Sequence, residues 1–277
     1  MAIRIITDTS SDYDYSIARE LGIDMVSMTI NVGEQSYADG IDLTHADFYD
    51  MLLSDTIVPK TSQPTPHDFQ TIFERAKADG DDVIAILISG ALSGTTQSAE
   101  TAKALCGYDR IYVVDSRCAT AGIQYLVDEA RRMRAEGAAA KAIVKRLESI
   151  KTRVRAFLGL DTLKYLYRGG RLSRVEAGVG TLAGIRPLLM LKDGRLEVCA
   201  KCMGAKKAMK TLTELIGSLK LDPAFPMRFI YSYCADNCRT LMQSFPGASE
   251  ADLIEIGPTL ATHAGPGVYG AVFVEAE

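Results

Sequence analysis

The strongest constraint on how this chain folds is an alternation over residues 3–149, where short apolar runs take turns with longer segments of helical periodicity. Ile3–Ile6, Met25–Val32, Asp82–Ser89 and Ile111–Asp115 read as strands. Tyr15–Leu21, Thr95–Leu105, Ala119–Ala135 and Ala138–Ser149 read as helices, the last two separated by Gly137. Two further helices have legible starts. Thr44 is an N-cap followed by an acid, Asp47, at the third helical position. Thr65 precedes Pro66, which a first helical turn tolerates. This β-α-β-α order of apolar strands predicts a mostly parallel sheet covered by helices on both faces.

The pattern changes near residue 154. Val154–Leu160 reads as a strand, Arg168-Gly169-Gly170-Arg171 as a polar break, and Val175–Ala183 as helix-like. Pro187–Leu191 and Arg195–Ala200 flank Asp193-Gly194, the pattern of a hairpin with a tight turn. An amphipathic helix at Ala205–Leu219 follows, then strands at Arg228–Tyr233, Leu253–Ile256 and Val268–Val274, with a helix near Asn237–Phe245. The expected fold class is α/β. An N-terminal α/β domain spans residues 1–154, and a C-terminal α+β domain with a mixed sheet spans residues 155–277.

Composition removes several function classes. The 31 basic and 35 acidic residues leave a net charge of −4, which argues against a nucleic-acid partner held by the global field. No apolar run approaches the length of a membrane span, so no integral membrane association is expected; transient contact with a membrane surface is compatible with the sequence. Met1–Asp8 turns polar too soon for a signal peptide, which makes the cytoplasm the expected location. The six cysteines are expected to be reduced thiols. Cys199 and Cys202 form a CxxC on an expected strand, where residues three apart point to opposite faces, so no metal site is expected. No cofactor is expected: GxxxxGK[ST] is absent, and the glycines from Gly178 to Gly184 do not fit GxGxxG.

Three stretches combine hydroxyls with glycine or proline: Thr61-Ser62-Gln63-Pro64-Thr65, Ser89-Gly90-Ala91-Leu92-Ser93-Gly94-Thr95-Thr96-Gln97-Ser98, and Thr262-His263-Ala264-Gly265-Pro266-Gly267. The second follows a strand and opens a helix. Its amides and hydroxyls suit a carboxylate or phosphate, or else they only cap the helix. The third reads as a Gly-rich loop carrying His263. Ser93, His263 and an acid such as Asp8 or Asp115 give an alternative reading as a lipid or acyl-ester hydrolase. Arg168, Arg171, Arg174 and Arg186, with Lys201, Lys206, Lys207 and Lys210, form a basic cluster that is either a solvated face or a docking surface.

Taken together, Thr7-Asp8-Thr9-Ser10, Thr61-Ser62-Gln63-Pro64-Thr65, Leu92-Ser93-Gly94-Thr95, Val114-Asp115-Ser116, Leu163-Lys164-Tyr165-Leu166 with Gly169-Gly170-Arg171, and Thr262-His263 with Gly265-Pro266-Gly267 resemble the DegV family of bacterial lipid-binding proteins. The chain departs from that family's usual pattern at Gly90, Thr96 and Met203. The resemblance implies two α/β domains with a long-chain fatty acid between them, its tail in an internal apolar tunnel. It implies that Thr61, Ser62, Ser93, Gly94, Thr95 and His263 hold the carboxylate. It further implies a carrier without catalytic residues, which presents the acid to a separate fatty acid kinase for acyl-phosphate formation in phospholipid synthesis. Arg171 is the candidate docking residue. The energetics are compatible, since at about 0.8 kcal/mol per buried methylene a sixteen-carbon chain gains on the order of 10 kcal/mol before opposing costs.

Overall fold

A computed structural model of the chain describes residues 2–54, 58–172 and 184–277. The helix expected at residues 175–183 and the expected basic residue Arg174 lie outside the described residues. The chain divides into two compact units, Met1–Thr44 with Thr61–Thr152, and His45–Lys60 with Arg153–Glu277.

The first unit is built on four strands in the order β2-β1-β6-β7: β1 (Ile3–Asp8), β2 (Ile23–Val26), β6 (Asp82–Leu87) and β7 (Ile111–Asp115). All three pairings are parallel, as the alternating apolar runs require. Along β6 the side chains take turns between faces. Val83, Ala85 and Leu87 pack with Phe69, Phe73 and Ala76 of α3 (Pro66–Asp79) and with Ala99 and Ala102 of α4 (Thr95–Cys106). Ile84 and Ile86 are equally buried, and α5 (Ala121–Ala135) and α6 (Ala140–Lys151) pack against the sheet as well. Helix α3 starts as its sequence predicts: the Thr65 hydroxyl accepts from the Asp68 amide, the Asp68 carboxylate accepts from the Thr65 amide, and Pro66 occupies the first turn.

One expected strand is two. Met25–Val32 breaks at Ser27-Met28, leaving β2 in the parallel sheet and sending β3 (Thr29–Val32) into a separate sheet of order β4-β3-β5. Side chains satisfy the main chain at the break. The Met28 amide donates to Thr9 Oγ1 at 3.1 Å, and the Ser27 hydroxyl donates to the Asp39 carbonyl at 2.8 Å. A turn at Gly33, where φ is +62°, returns the chain as β4 (Gln35–Ala38), and β5 (Lys60–Ser62) completes the small sheet.

The second unit carries a six-stranded mixed sheet ordered β10-β9-β8-β13-β11-β12. Its strands are β8 (Val154–Gly159), β9 (Ile185–Lys192), β10 (Arg195–Met203), β11 (Arg228–Tyr231), β12 (Leu253–Glu255) and β13 (Tyr269–Val274). Only β11 and β12 pair in parallel. Asp193 and Gly194 both have positive φ, as the tight hairpin turn between β9 and β10 demands. Ala208, Leu212 and Ile216, one stripe of α8 (Ala205–Gly217), cover one sheet face around Phe157, Phe229 and Phe273, with Cys238 and Leu241 of α9 (Asp236–Met242) beside them. On a separate core, Leu166 of α7 (Lys164–Arg168) and Ala264 of α10 (Pro258–Ala264) meet Leu160, Leu189 and Val268.

Two features of this unit have no local sequence signal. Helix α2 (His45–Leu53), early in the chain, belongs here: the Tyr49 hydroxyl donates to the Ile256 carbonyl at 3.0 Å, and the Tyr49 ring lies 5.6 Å from that of Tyr233. The chain therefore does not divide by a single cut near residue 154. A β-bulge between Val198 and Ala200 also resets the alternation of β10. Cys199 and Cys202, expected on opposite faces, pack against the same core as free thiols. Among the described residues no cluster of potential ligands suits a metal ion, and no helix is long and apolar enough to cross a membrane.

Phe73 is fully buried between α3 and the parallel sheet. Phe73→Ala is expected to lower unfolding free energy by about 3–5 kcal/mol, read as a lower urea midpoint. An unchanged midpoint would show that this core contributes little to the measured transition.

Candidate ligand-head site

Strands β1, β6 and β7 lie side by side in the parallel sheet, and two of them end in a carboxylate. Asp8, the last residue of β1, is fully buried. Its Oδ2 accepts from the Ile88 amide at 2.8 Å, and its Oδ1 accepts from the Ser10 amide at 3.0 Å and from the Ser10 hydroxyl. Burial raises the Asp8 carboxyl above the usual range, against the opposing hydrogen bonds from Ser10 and Ile88. Asp115, the last residue of β7, accepts from the Gly90 amide at 3.1 Å and the Arg117 amide at 2.9 Å. The Ser89 amide donates to the Cys118 carbonyl at 2.9 Å. The loop leaving β6 is thus tied at its first residues.

That loop ends at Gly94, the N-cap of the 12-residue helix α4. A glycine offers no side chain to the first-turn amides, which by helix geometry have no intrahelical acceptor. The flanking hydroxyls face each other, with Ser93 Oγ 2.8 Å from Thr95 Oγ1. Ser93 Oγ makes only a long contact, 3.4 Å, with the Thr95 amide. The Thr96 hydroxyl is turned back onto the Ile88 carbonyl at 3.3 Å. The arrangement is a helix N-terminus with a bare cap and two adjacent hydroxyls, which suits an anionic oxygen pair.

Thr61 and Ser62 form the end of strand β5. Ser62 Oγ accepts from Asn31 Nδ2 at 3.0 Å, which ties the strand to β3. Gln63 then reaches the helix: its Nε2 donates to Ser98 Oγ at 3.0 Å, and its amide lies so close over Gly94 that a Cβ there would collide with it. Gln63 therefore brings the Thr61–Gln63 stretch against Ser93–Thr95. Gln63 lies within the Thr61–Thr65 motif but is not among the residues that the resemblance assigns to the carboxylate. Nothing local marks it, because its role is a contact across 35 positions of sequence.

In the second unit, His263 is not in a loop. It occupies the last turn of α10, which starts at Pro258, is braced by the Thr262 hydroxyl on the Pro258 carbonyl at 2.8 Å, and ends at Gly265 with φ +78°. The imidazole packs against Gly169, where any Cβ would collide with it, and a Cβ at Gly265 would collide with the Tyr165 ring. Arg171 donates to the Gly169 carbonyl at 2.6 Å and is half-buried. Burial, helped by the Arg171 charge, pushes the imidazole pKa down to about 4. At neutral pH His263 is thus an uncharged ring able to donate from one nitrogen and accept at the other.

This environment opposes the hydrolase alternative. A catalytic histidine is made more basic by an acid behind it, whereas His263 has a guanidinium for a neighbour. Asp8 and Asp115, the acids considered for that role, accept from amides of their own unit.

A family model described as "Uncharacterised protein, DegV family" matches residues 2–276. The chain belongs to the DegV family. A DegV domain-containing protein of Caldanaerobacter subterraneus is 35% identical over 280 residues, with 99% of each chain covered. Among solved DegV structures, one from Thermus thermophilus described for its fatty acid binding is 31% identical, with all of both chains covered and a TM-score of 0.88. A fatty acid binding DegV family protein from Streptococcus agalactiae is 26% identical, with the same coverage and a TM-score of 0.89. DegV from Bacillus subtilis, described as a fatty acid binding protein, is 25% identical, again over all of both chains, with a TM-score of 0.84. The α/β architecture, with one parallel and one mixed sheet, is that of these DegV structures.

The depressed His263 pKa has a definite sign. The group is neutral when folded and takes up a proton when unfolded below its ordinary 6.5, so its contribution is present above pH 6.5 and is lost as pH falls toward about 4. Up to about 3 kcal/mol of stability is expected to disappear over that window, and His263→Gln should flatten this part of the pH profile. An NMR titration of the His263 ring with a midpoint near 6.5 would contradict the assignment.

Proposed function

We propose that this DegV family protein binds a long-chain fatty acid. Its carboxylate is held by Thr61, Ser62, Ser93, Gly94 and Thr95, with His263 as a further neutral donor to the ligand's head. The apolar tail lies in an internal tunnel and supplies most of the affinity. The protein acts in the cytoplasm as a carrier rather than an enzyme, and it presents the carboxylate to a separate fatty acid kinase for acyl-phosphate formation in phospholipid synthesis. Arg171 serves in kinase docking.

The observation that carries this reading is the bare N-terminus of α4, with the Ser93 and Thr95 hydroxyls 2.8 Å apart beside a glycine cap. Such a site accepts a carboxylate through neutral donors and offers no nucleophile poised by a base. The description of full-length DegV relatives as fatty-acid-binding proteins, at 25–31% identity, supports the same ligand class here.

Native mass spectrometry of the purified protein, followed by denaturing lipid extraction, is expected to show one bound fatty acid per chain. Ser93→Ala should keep the fold and weaken binding by about 1–3 kcal/mol, because it removes a donor from a desolvated anion. Absence of any adduct, together with no uptake of added oleate or palmitate, would reject the carrier reading.

Docking has a separate test. Arg171→Ala is expected to leave oleate affinity within about twofold while slowing kinase-dependent phosphorylation of the bound acid by about tenfold or more. Equal phosphorylation kinetics would remove Arg171 from the docking surface.

A further inference from the structure

The loop that carries Ser93 leaves the sheet in an unusual way. Along a strand, amides two residues apart point toward the same neighbour. Here the Ile88 amide points to Asp8 on β1 and the Gly90 amide to Asp115 on β7, and these strands flank β6 on opposite sides. The chain therefore turns over at Ser89, and the two carboxylates define how far it turns. Each takes the place of the carbonyl that a longer neighbouring strand would have offered.

Backbone strain gathers in the same place. Of the five non-glycine residues with positive φ among the described residues, Asp12, Arg117 and Thr120 lie in the loops that follow Asp8 and Asp115. Thr120, a β-branched residue at φ +48° and ψ −132°, is tied by its amide to the Ser10 carbonyl at 2.7 Å. Ser10 is itself bound to Asp8. Conformations of this kind persist where surrounding contacts over-determine them.

We propose that Asp8 is a positioning residue for the ligand's head, setting Ser93–Thr95 through the Ile88 amide, with Asp115 acting in the same way through Gly90. This rests on the fatty-acid reading above. Both Asp8 oxygens accept, so an asparagine of equal size turns one acceptor into a donor that faces a donor. The expected result is a displaced loop in a folded protein.

The test compares dissociation constants for oleate and for oleyl alcohol, which shares the tail and lacks the carboxylate. They are measured by competition with a fluorescent fatty acid for wild type, Asp8→Asn and Asp115→Ala. Asp8→Asn is expected to lose about tenfold or more in oleate affinity and less than about twofold for oleyl alcohol. Asp115 takes the Gly90 and Arg117 amides on the same oxygen, which an asparagine would keep, so Asp115→Ala is the variant that removes the acceptor. It should show the same split, and it carries the test should Asp8→Asn not fold. Equal losses for both ligands would mean that the carboxylates act only on the fold, and unchanged oleate affinity would mean that they do not position the loop. Either result overturns the proposal while wild-type oleate binding leaves the fatty-acid reading intact. Wild type that binds neither ligand removes that reading, and the proposal with it.

Discussion

Parallel strands that stop run out of partners. Beyond the last paired residue, each strand has amides and carbonyls pointing at a neighbour that is no longer there, and in a buried setting those groups need replacement partners. In the first unit two aspartates take that role for the strand between them, Asp8 for Ile88 and Asp115 for Gly90. Much of the surrounding geometry follows from this substitution. Ser10, held by Asp8, anchors the entry to α5 through Thr120, and Thr9 in the same turn holds Met28 where the chain leaves for the small sheet. The Met28 sulfur in turn lies 3.8 Å from the Thr95 hydroxyl.

The candidate donors share one electrostatic character. Hydroxyls of Ser93 and Thr95, helix amides and a neutral imidazole all donate without a formal charge. Burial keeps His263 uncharged, and the neighbouring guanidinium reinforces this. Neutral donors in a desolvated setting hold an anion by direction and number rather than by Coulomb attraction. They depend on being placed in advance, which is why a glycine cap, a carboxylate-held loop and close glycine contacts recur around them.

The parts legible in the sequence were those buried on both sides. Strand β6 is apolar from Val83 to Leu87, β1 and β7 keep apolar centres at Ile5-Ile6 and Val113-Val114, and helix α3 has capping chemistry that reads locally at Thr65 and Asp68. The small sheet was missed because Gln35–Ala38 and Lys60–Ser62 are largely exposed and carry no alternation. Helix α10 looks like a loop in the sequence because seven residues are too few to show a period and Gly265-Pro266-Gly267 follows at once. Of the site, the hydroxyl-rich stretches stood out by composition. Asp8 and Asp115 are visible in the sequence as candidate acids and motif members, but their hold on the loop is not, because a carboxylate closing an apolar run looks like the end of a strand whether or not it holds the next loop. Gln63 and the bulge at Cys199 depend on partners distant in sequence or across a sheet, and no local pattern encodes them.

Helix α2 lies 207 positions from the carbonyl that its Tyr49 hydroxyl bonds. During synthesis at about 5–20 residues per second, that helix emerges on the order of 10–40 s before Ile256 exists. Its buried Tyr49 spends that interval without its partners Tyr233 and Ile256, while β6 and β7 can already complete the parallel sheet. The second unit thus closes last, and only after release of nearly the whole chain. The nascent chain carries this helix early, before the rest of its unit exists, and a fragment beginning at residue 153 lacks one of its own unit's helices.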